Sequence, residues 1–357
     1  MTMISVSQNI FTVPKNRSDH FRFVARSLLY VHSAALVTLV FLFYPGINGY
    51  KRAMFGDMLE GVAYRPHVYR VLVPYTARIL SSQMPEEVKT SLRVSIKDTR
   101  LAAKLGWDSD NIPAYVVVTL ITFCCFLGFA FALRKLSLRF YPNMISVADF
   151  APALGLLVLP SLFRYYNQLY DPATLLLWAC ALLFLAQRAI IPYYVFFVLA
   201  VINKETAILL VPLFALAFRE TTRIRKIALH VGLQLIVFGV IRIAVLHAYA
   251  ANPGGLLEFH LNGNLLIFEK PGAIVYLLAM YGLGGYLVSK NWHSKPSLLR
   301  LGILFVFAPL VLLSLFFGNL DEPRQYYEAF PFVFLLSLKT INDAWNVSGN
   351  SSTAEPP

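Results

Sequence analysis

Five short polar segments carry charged and aromatic side chains of the kinds that bind anions and move protons. The segments are GDMLEG (56–61), YRPHVYR (64–70), RYYNQLYD (164–171), NKET (203–206) and DEPRQYYE (321–328). A carboxylate within hydrogen-bond reach of a hydroxyl group can accept its proton, and arginine or lysine can hold the negative charge of a phosphate. These segments are therefore the predicted functional site.

Within these segments, Asp57 is the first candidate for a general base, and Glu60, one helical turn further on, is the alternative. The tyrosines could stack on a ligand ring or form hydrogen bonds with its hydroxyl groups. The candidate substrate-binding residues have cationic, polar or aromatic side chains: Arg65, Arg70, Arg164, Tyr165, Tyr166, Asn167, Asp171, Lys204, Glu205, Glu322, Arg324 and Tyr326.

Several candidates also have a purely structural interpretation. Asp171 stands before a proline, which is the pattern of a helix N-cap followed by proline at the first helical position. Lys204 and Glu205 could form an ion pair beside a short helix, and Arg324 could pair with Glu322 in an aqueous loop. His67 and His260 have no partner at metal-ligand spacing, so no metal site is predicted from them.

The elements that must position these residues are strongly apolar. Of the 357 residues, 57% are hydrophobic and only 14% are charged, whereas a soluble domain carries about 25% charged residues. A membrane-spanning helix takes about 20 apolar residues. Ten apolar segments approach this pattern: 27–43, 113–133, 147–162, 172–186, 189–202, 207–218, 227–249, 271–288, 301–317 and 329–338. The sequence predicts an all-α integral membrane protein with about ten transmembrane helices.

Lysine and arginine gather in the short loops on one side of this arrangement, as they do on the cytoplasmic side of membrane proteins. The N-terminus is therefore predicted to be cytoplasmic. A long first extracytoplasmic loop, 45–112, is expected to be helical, with a surface helix that starts after Pro85 and carries basic residues as far as Lys104. The predicted domains are a cytoplasmic tail 1–26, a transmembrane domain 27–342 and a disordered cytoplasmic tail 343–357.

The NKET segment separates two apolar stretches that are each shorter than a full span. The two stretches could form a hairpin with Lys204 and Glu205 recessed at its outer tip, or one broken helix with both residues buried. We favour the hairpin, because it places Arg188 and the basic residues that follow Phe218 on the same cytoplasmic side.

The net charge of +12 is spread over several loops and does not form one basic domain. This distribution argues against nucleic acid as a partner. Membrane lipids with anionic headgroups are the expected partners of these basic loops.

The order of these features resembles the GT-C superfamily of membrane glycosyltransferases, which includes protein O-mannosyltransferases and the lipid A aminoarabinose transferase. The resemblance covers about the first two thirds of the chain in layout: a first span, a long outer loop with an early acidic residue and surface helices, and a many-span body. Its closest local form is the segment 170–216, YDPATLLLWACALLFLAQRAIIPYYVFFVLAVINKETAILLVPLFAL. There an Asp opens a Leu-rich span, an Arg closes it, and a Lys precedes a Pro-containing apolar segment.

The resemblance implies a transferase of the cell envelope that takes a sugar from a polyprenyl-phosphate donor and passes it to a glycan, lipid or protein acceptor. It places the reaction on the extracytoplasmic side of a bacterial inner membrane, with an endoplasmic reticulum membrane as the alternative. An acidic residue of the first outer loop is the base in this family, and Asp57 matches that position best. One base acting in a direct displacement implies inversion at the anomeric carbon. No cofactor is expected, and dependence on a divalent metal stays open.

Two other functions fit parts of the sequence. A transporter or lipid-linked-sugar flippase would also place ionisable residues within the membrane, although the chain shows no internal repeat of the kind that transporters often contain. A membrane scaffold would use the polar segments to bind another subunit, and would tolerate single substitutions of Asp57 or Lys204.

Overall fold

The structure is a computed structural model that describes residues 17–351, with side chains described for 19–345. Within this range the chain forms helices and connecting turns, and no strand occurs. The outer parts of the two predicted tails, 1–16 and 352–357, lie outside the described residues. The first helix starts inside the predicted N-terminal tail, and the last continues into the predicted C-terminal tail.

Sixteen α-helices are described between residues 17 and 351, with short 3-10 segments between several of them. The helices are α1 (Arg17–Phe43), α2 (Phe55–Glu60), α3 (Leu72–Ser82), α4 (Glu86–Ile96), α5 (Arg100–Leu105), α6 (Ile112–Phe140), α7 (Ile145–Val158), α8 (Asp171–Gln187), α9 (Ile190–Asn203), α10 (Leu210–Phe218), α11 (Ile224–Ala248), α12 (Leu261–Ile267), α13 (Pro271–Leu277), α14 (Leu283–Ser289), α15 (Ser297–Phe317) and α16 (Phe330–Ser351).

The ten predicted apolar segments all lie in helical parts of the structure. Six helical stretches are long and apolar enough to cross a membrane: Asp19–Phe43, Ile112–Phe140, Ile145–Leu162, Ile224–Ala248, Pro271–Ser289 and Ser297–Phe317. Three further apolar helices are shorter: Asp171–Gln187, Ile190–Asn203 and Glu205–Phe218. The structure thus agrees with an all-α membrane protein, with six rather than ten helices of full spanning length.

The core of the bundle is built around α6 and α8. Helix α6 packs against α1, α3, α7 and α8, and α8 packs in turn against α9. Helices α6 and α8 approach closely, because a β-carbon at Gly128 would lie only 3.1 Å from Leu176. The fully buried rings of Phe129 and Trp178 fill the space around this contact.

Chain direction divides the bundle into two ends. The basic end is where α1 begins and α6 ends, and the site end is where α1 ends and α6 begins. At the basic end, Asp149 of α7 accepts hydrogen bonds from Arg26 of α1 at 2.9 Å and from Arg134 of α6 at 2.7 Å. This ion triad ties three helices together within the apolar part of the bundle.

Helices α9 and α10 form the predicted hairpin. Tyr193, near the start of α9, donates a hydrogen bond to the carbonyl of Leu210 at 3.1 Å, and its ring lies 5.4 Å from that of Phe214. These contacts join residues on opposite sides of Lys204, which a continuous helix would hold about 30 Å apart. The hairpin prediction is confirmed, and Lys204 lies at its tip.

Helices α8 and α9 are shorter than a typical membrane span. Helix α8 has 17 residues and α9 has 14, which gives lengths of about 26 and 21 Å against a hydrocarbon core of about 30 Å. The start of α8 and the end of α9 lie at the same level, because Asn203 donates hydrogen bonds to the carbonyl of Tyr170 and to the hydroxyl of Thr174. These hydrogen bonds bring the start of α8 beside the hairpin tip.

The segment between α1 and α6 contains α2 to α5, as the sequence predicts for a helical loop. The predicted surface helix starts correctly after Pro85, but its continuation to Lys104 is wrong. Helix α4 ends at Ile96, and Thr99 starts α5 as an N-cap whose hydroxyl accepts a hydrogen bond from the N–H of Ala102 at 3.1 Å. The capping threonine interrupts the helix because it satisfies the first N–H groups of a new one.

Candidate functional site

Ten ionisable side chains converge at the site end and form what we call the charged cluster. Its cations and carboxylates are equal in number, so their formal charges cancel. The cations are Arg70, Arg164, Lys204, Arg242 and Arg324, and the carboxylates are Asp171, Glu205, Asp321, Glu322 and Glu328. They come from the segment before α3, the segment before α8, the tip of the hairpin, α11 and the segment between α15 and α16.

The two charged residues at the hairpin tip bind different partners. Lys204 forms an ion pair with Glu328 at 2.8 Å, while Glu205 binds Arg70 at 2.7 Å and lies 3.9 Å from Arg242. The alternative in which Lys204 and Glu205 pair with each other is wrong. Lys204 has an extended backbone, with φ −159° and ψ 142°, and successive side chains of extended backbone point in opposite directions.

Arg324 is the most enclosed cation of the cluster. Its guanidinium donates to Glu322 at 2.5 Å, lies 3.6 Å from Asp171, and stands 4.8 Å over the ring of Tyr166. The pair with Glu322 is buried, in contrast to the aqueous loop considered from the sequence. Burial opposes the charge of Arg324, but Glu322 and Asp171 outweigh this effect and hold its pKa above the usual value.

Arg164 forms the accessible side of the cluster. It binds Asp321 at 2.9 Å and lies between the rings of Tyr165 and Tyr276, at 5.0 and 4.4 Å from their centres. Tyr165 is 50% exposed and donates a hydrogen bond to Asp321. Its backbone has φ +63°, which is uncommon for a residue with a side chain. A conformation of this kind is retained where packing and hydrogen bonds fix it, often at a binding site.

Aromatic rings form one wall of the cluster. Tyr166 stacks on Tyr50 with ring centres 4.4 Å apart, and the edge of His67 contacts Tyr50 at 5.1 Å. Arg70 lies 4.5 Å over the ring of Tyr170 and also donates a hydrogen bond to its hydroxyl group. Guanidinium groups and aromatic faces of this kind bind phosphates and sugar rings.

Several buried polar atoms in this region have no hydrogen-bond partner within the described part of the chain. They are His67 Nδ1, Gln168 Nε2, Asn203 Oδ1, Asp321 Oδ1, Tyr327 Oη and Glu328 Oε2. A buried polar atom without a partner costs free energy, so such atoms are rare in folded proteins unless water or a ligand satisfies them. Their concentration beside the charged cluster indicates a polar binding site.

Three candidate binding residues serve the fold and form no ion pair within the charged cluster. Asn167 donates hydrogen bonds to the carbonyls of Phe41 and Tyr44 at the end of α1, at 2.6 and 3.2 Å. Tyr326 is buried against the ring of Phe307, 5.4 Å from its centre. Arg65 donates to the carbonyl of Gly254 at 2.5 Å and fixes the loop after α11. The sequence does not distinguish these structural uses from ligand contacts, because the same donors suit both.

The interpretation of Asp171 as an N-cap is wrong. Helix α8 begins at Asp171 itself, and the residue before the helix is Tyr170. The carboxylate of Asp171 accepts a hydrogen bond from the N–H of Gln168 at 3.2 Å, on the side away from the helix, and faces Arg324. Asp171 is therefore a member of the charged cluster.

The two candidate bases lie on α2. Asp57 is half-buried in the first turn of this helix, and Glu60 is exposed at its last residue. The main-chain carbonyl of Asp57 accepts hydrogen bonds from Val62 and Ala63, at 2.9 and 3.1 Å, which fixes the end of the helix. Among the described residues, none forms an ion pair or hydrogen bond with the carboxylate of Asp57. An acceptor hydroxyl would therefore meet no competing protein partner at this carboxylate.

Three members of the charged cluster and one acidic pair are absent from the residues predicted for the site. Asp321 and Glu328 belong to a polar segment that the sequence does indicate, and Arg242 interrupts an apolar helix, so the sequence contains a signal for each of them. Tyr170, which Arg70 contacts, is also absent from the prediction, although it belongs to the segment 164–171. The acidic pair is the D-x-D motif 108–110 of the segment before α6. Asp108 accepts a hydrogen bond from the N–H of Asn111 at 2.8 Å, which positions the start of α6.

Between residues 17 and 351, no group of three or more His, Cys, Asp or Glu side chains has the arrangement of a metal site. No family model, no curated protein and no solved structure matches the chain. The function of the charged cluster must therefore be inferred from its geometry and chemistry.

Lowering the pH from 7 to 5 is expected to destabilise the fold through His67. Burial, together with the charges of Arg70 and Arg324, lowers the pKa of His67 from 6.5 to about 3. Below pH 6.5 the unfolded state binds a proton that the folded state does not, so the free energy of unfolding falls as the pH falls. The loss through this one group is roughly 2 kcal/mol at pH 5.

Unfolding in detergent at the two pH values tests this prediction. The free energy of unfolding should fall less between pH 7 and pH 5 in His67→Asn than in the native protein. The matched control is His20→Asn, which removes an exposed histidine of α1 and should leave the difference unchanged. Equal pH dependence in the native protein and His67→Asn would exclude His67 as the cause.

Proposed function

We propose that this protein is a membrane glycosyltransferase, which moves a sugar from a polyprenyl-phosphate donor to an acceptor on the extracytoplasmic side. The observation that carries the proposal is the charged cluster at one end of the bundle, beside helices shorter than a typical span. A charged site at the level of the helix ends suits a lipid-linked substrate, because the phosphate lies near the membrane surface while the lipid chain stays in the hydrocarbon. The proposal includes ten crossings, a cytoplasmic N-terminus and a bacterial inner membrane.

The cations of the cluster are proposed to hold the phosphate of the donor. Arg164 and Arg70 are the best placed, because both guanidinium groups retain some exposure and both lie against tyrosine rings. In the structure each is paired with a carboxylate, Asp321 or Glu205. A phosphate can replace a carboxylate at a guanidinium with the same two-point hydrogen-bond geometry.

The proposed reaction needs one base and one stabilised leaving group. The acceptor hydroxyl gives its proton to the carboxylate of Asp57 as its oxygen forms a bond to the anomeric carbon. The bond between that carbon and the phosphate oxygen breaks, and the phosphate leaves with the bonding electrons. The cations of the cluster stabilise the charge that develops on it. A single displacement of this kind inverts the configuration of the sugar.

The absence of an internal repeat favours a transferase over a transporter. Transporters often consist of two similar halves that meet around the substrate site. Here the helical segment between α1 and α6 has no counterpart later in the described part of the chain.

Release of free polyprenyl phosphate from a panel of polyprenyl-phosphate sugars tests the proposed function. The native protein in detergent, supplied with a membrane extract as the source of acceptor, should release it, and Arg164→Gln should lower kcat/KM by roughly tenfold to a hundredfold. This range corresponds to the loss of a charged hydrogen bond worth about 1.5 to 3 kcal/mol. The matched control is Arg225→Gln at the basic end, which removes an exposed arginine outside the cluster. Absence of release with every donor, together with donor movement across vesicle membranes, would replace the transferase with a flippase.

A further inference from the structure

A second cationic site lies at the basic end, on the opposite side of the bundle from the charged cluster. It is a cavity of about 160 Å³ lined by three arginines, two short apolar stretches and the start of α15. Arg139 comes from the last turn of α6, Arg188 from the turn between α8 and α9, and Arg219 from the residue after α10. Three positively charged side chains from parts of the chain that are distant in sequence thus line the same cavity.

Most of the hydrogen-bond donors of these arginines are unused. Arg139 donates through Nε to the carbonyl of Ala186 at 3.1 Å, and Arg219 pairs with its neighbour Glu220 at 3.3 Å. Among the described residues, no group forms a hydrogen bond, ion pair or ring contact with the guanidinium of Arg188. Each guanidinium has five N–H groups. The cavity therefore contains many hydrogen-bond donors, whereas Glu220 is the one carboxylate among the residues that line it.

Capping of helix ends does not account for the three arginines. Arginines near helix C-termini often bind the last carbonyl groups, but here only Arg139 does so. Arg188 has a left-handed backbone, with φ +59°, and stands where glycine usually ends a helix. An arginine at this position has a higher conformational free energy than glycine would have. A binding function of its side chain would explain why arginine occurs here.

Helix α15 adds a further attraction for an anion. Ser297 and Leu298, its first two residues, line the cavity. The first N–H groups of a helix lack partners within the helix, and the positive end of its dipole favours a negative ligand. The arginines and this helix start therefore act on the same space.

We propose that this cavity binds a phosphate group. Its surroundings favour a lipid headgroup as the source. Ile191 of α9 and Ile224 of α11 follow Arg188 and Arg219 closely in the sequence and are 81% and 76% exposed. Exposed isoleucines at the start of membrane helices suit contact with lipid chains, while the arginines bind the phosphate. The cavity is a site for an anionic phospholipid, independent of any transferase activity.

Native mass spectrometry tests this site with a triple variant, Arg139→Gln, Arg188→Gln and Arg219→Gln. The native protein, purified in the presence of phosphatidylglycerol and phosphatidylcholine, should retain phosphatidylglycerol. The triple variant should bind it at least tenfold more weakly. The matched control replaces three exposed arginines at the same end that do not line the cavity: Arg22→Gln, Arg223→Gln and Arg225→Gln.

The control variant has the same net charge as the cavity variant, so general attraction to anionic lipid would weaken binding equally in both. Equal weakening would therefore overturn the proposal, as would retention of phosphatidylglycerol by the cavity variant. A parallel titration with inorganic phosphate distinguishes the two sources. In one outcome, inorganic phosphate stabilises the native protein against unfolding in a saturable way while the cavity variant shows no such effect. If the native protein also retained no phosphatidylglycerol, these results would support the phosphate site and show that its ligand is a soluble anion.

Discussion

Replacing Asp57 by Asn is expected to slow turnover by about a hundredfold or more, because it removes the proposed base. The other carboxylates near the donor site are held by cations: Glu205 by Arg70, Asp321 by Arg164, and Glu328 by Lys204. An acceptor hydroxyl would have to compete with these cations for the carboxylate oxygens.

The arrangement of Asp57 differs from that of these paired carboxylates. It is half-buried on α2, and no ion pair or hydrogen bond to its carboxylate is found within the described residues. Helix α2 packs against α3, and the chain between the two helices contains His67 and Arg70. The proposed base and Arg70 of the proposed donor site therefore belong to the same segment between α1 and α6.

The measurement is release of polyprenyl phosphate at saturating donor, with kcat and KM determined separately. Asp57→Asn should lower kcat and leave KM for the donor nearly unchanged, since the carboxylate acts on the acceptor hydroxyl. Glu60→Gln, one turn away at an exposed position, is the matched control and should retain activity within about threefold. The reverse result, with Glu60→Gln inactive and Asp57→Asn active, would move the base to Glu60.

The sequence alone is sufficient to predict the helices but not which charged residues meet. An apolar stretch forms a membrane helix for reasons contained in the stretch itself, because each backbone group must bond within the helix. The hairpin follows from the same local rule, since Arg188 and Arg219 must both reach the basic side. The full span count does not follow, because α8, α9 and α10 are buried against other helices and can be shorter than the bilayer.

The ion pairs of the charged cluster join residues far apart in the chain. Arg70 and Glu205 are separated by 135 positions, and Lys204 pairs with Glu328, which follows it only after helices α10 to α15. Sequence patterns identify a charged residue as unusual in an apolar setting, as they do for Lys204, but give no information on the distant partner. The partner depends on how the helices pack, which explains why Glu328 is recognised only in the structure.

Replacing Glu328 by Gln is expected to destabilise the protein by about 3 to 5 kcal/mol, whatever the function of the cluster. Glu328 is completely buried, and its carboxylate accepts hydrogen bonds from Lys204 at 2.8 Å and from Thr206. Glutamine has nearly the same shape, so the change removes the charge with little loss of packing. The ammonium of Lys204 would then be buried without a compensating charge, which is the costly arrangement.

A double-mutant cycle separates this charge effect from a general defect in folding. If the uncompensated ammonium is the cause, the double variant Lys204→Met, Glu328→Gln should be more stable than Glu328→Gln alone. The free energy of unfolding in mixed micelles is the quantity to compare. A matched control is Asp343→Asn, which breaks the partly exposed pair between Lys339 and Asp343 on α16.

The control pair has a similar distance, 2.6 Å, but its side chains are about one quarter exposed. Water can solvate Lys339 when its partner loses its charge, so Asp343→Asn should cost no more than about 1 kcal/mol. The contrast between the two single variants measures what burial adds to the loss of a carboxylate. If Glu328→Gln cost as little as the control, water would have to reach the ammonium group of Lys204 at the hairpin tip.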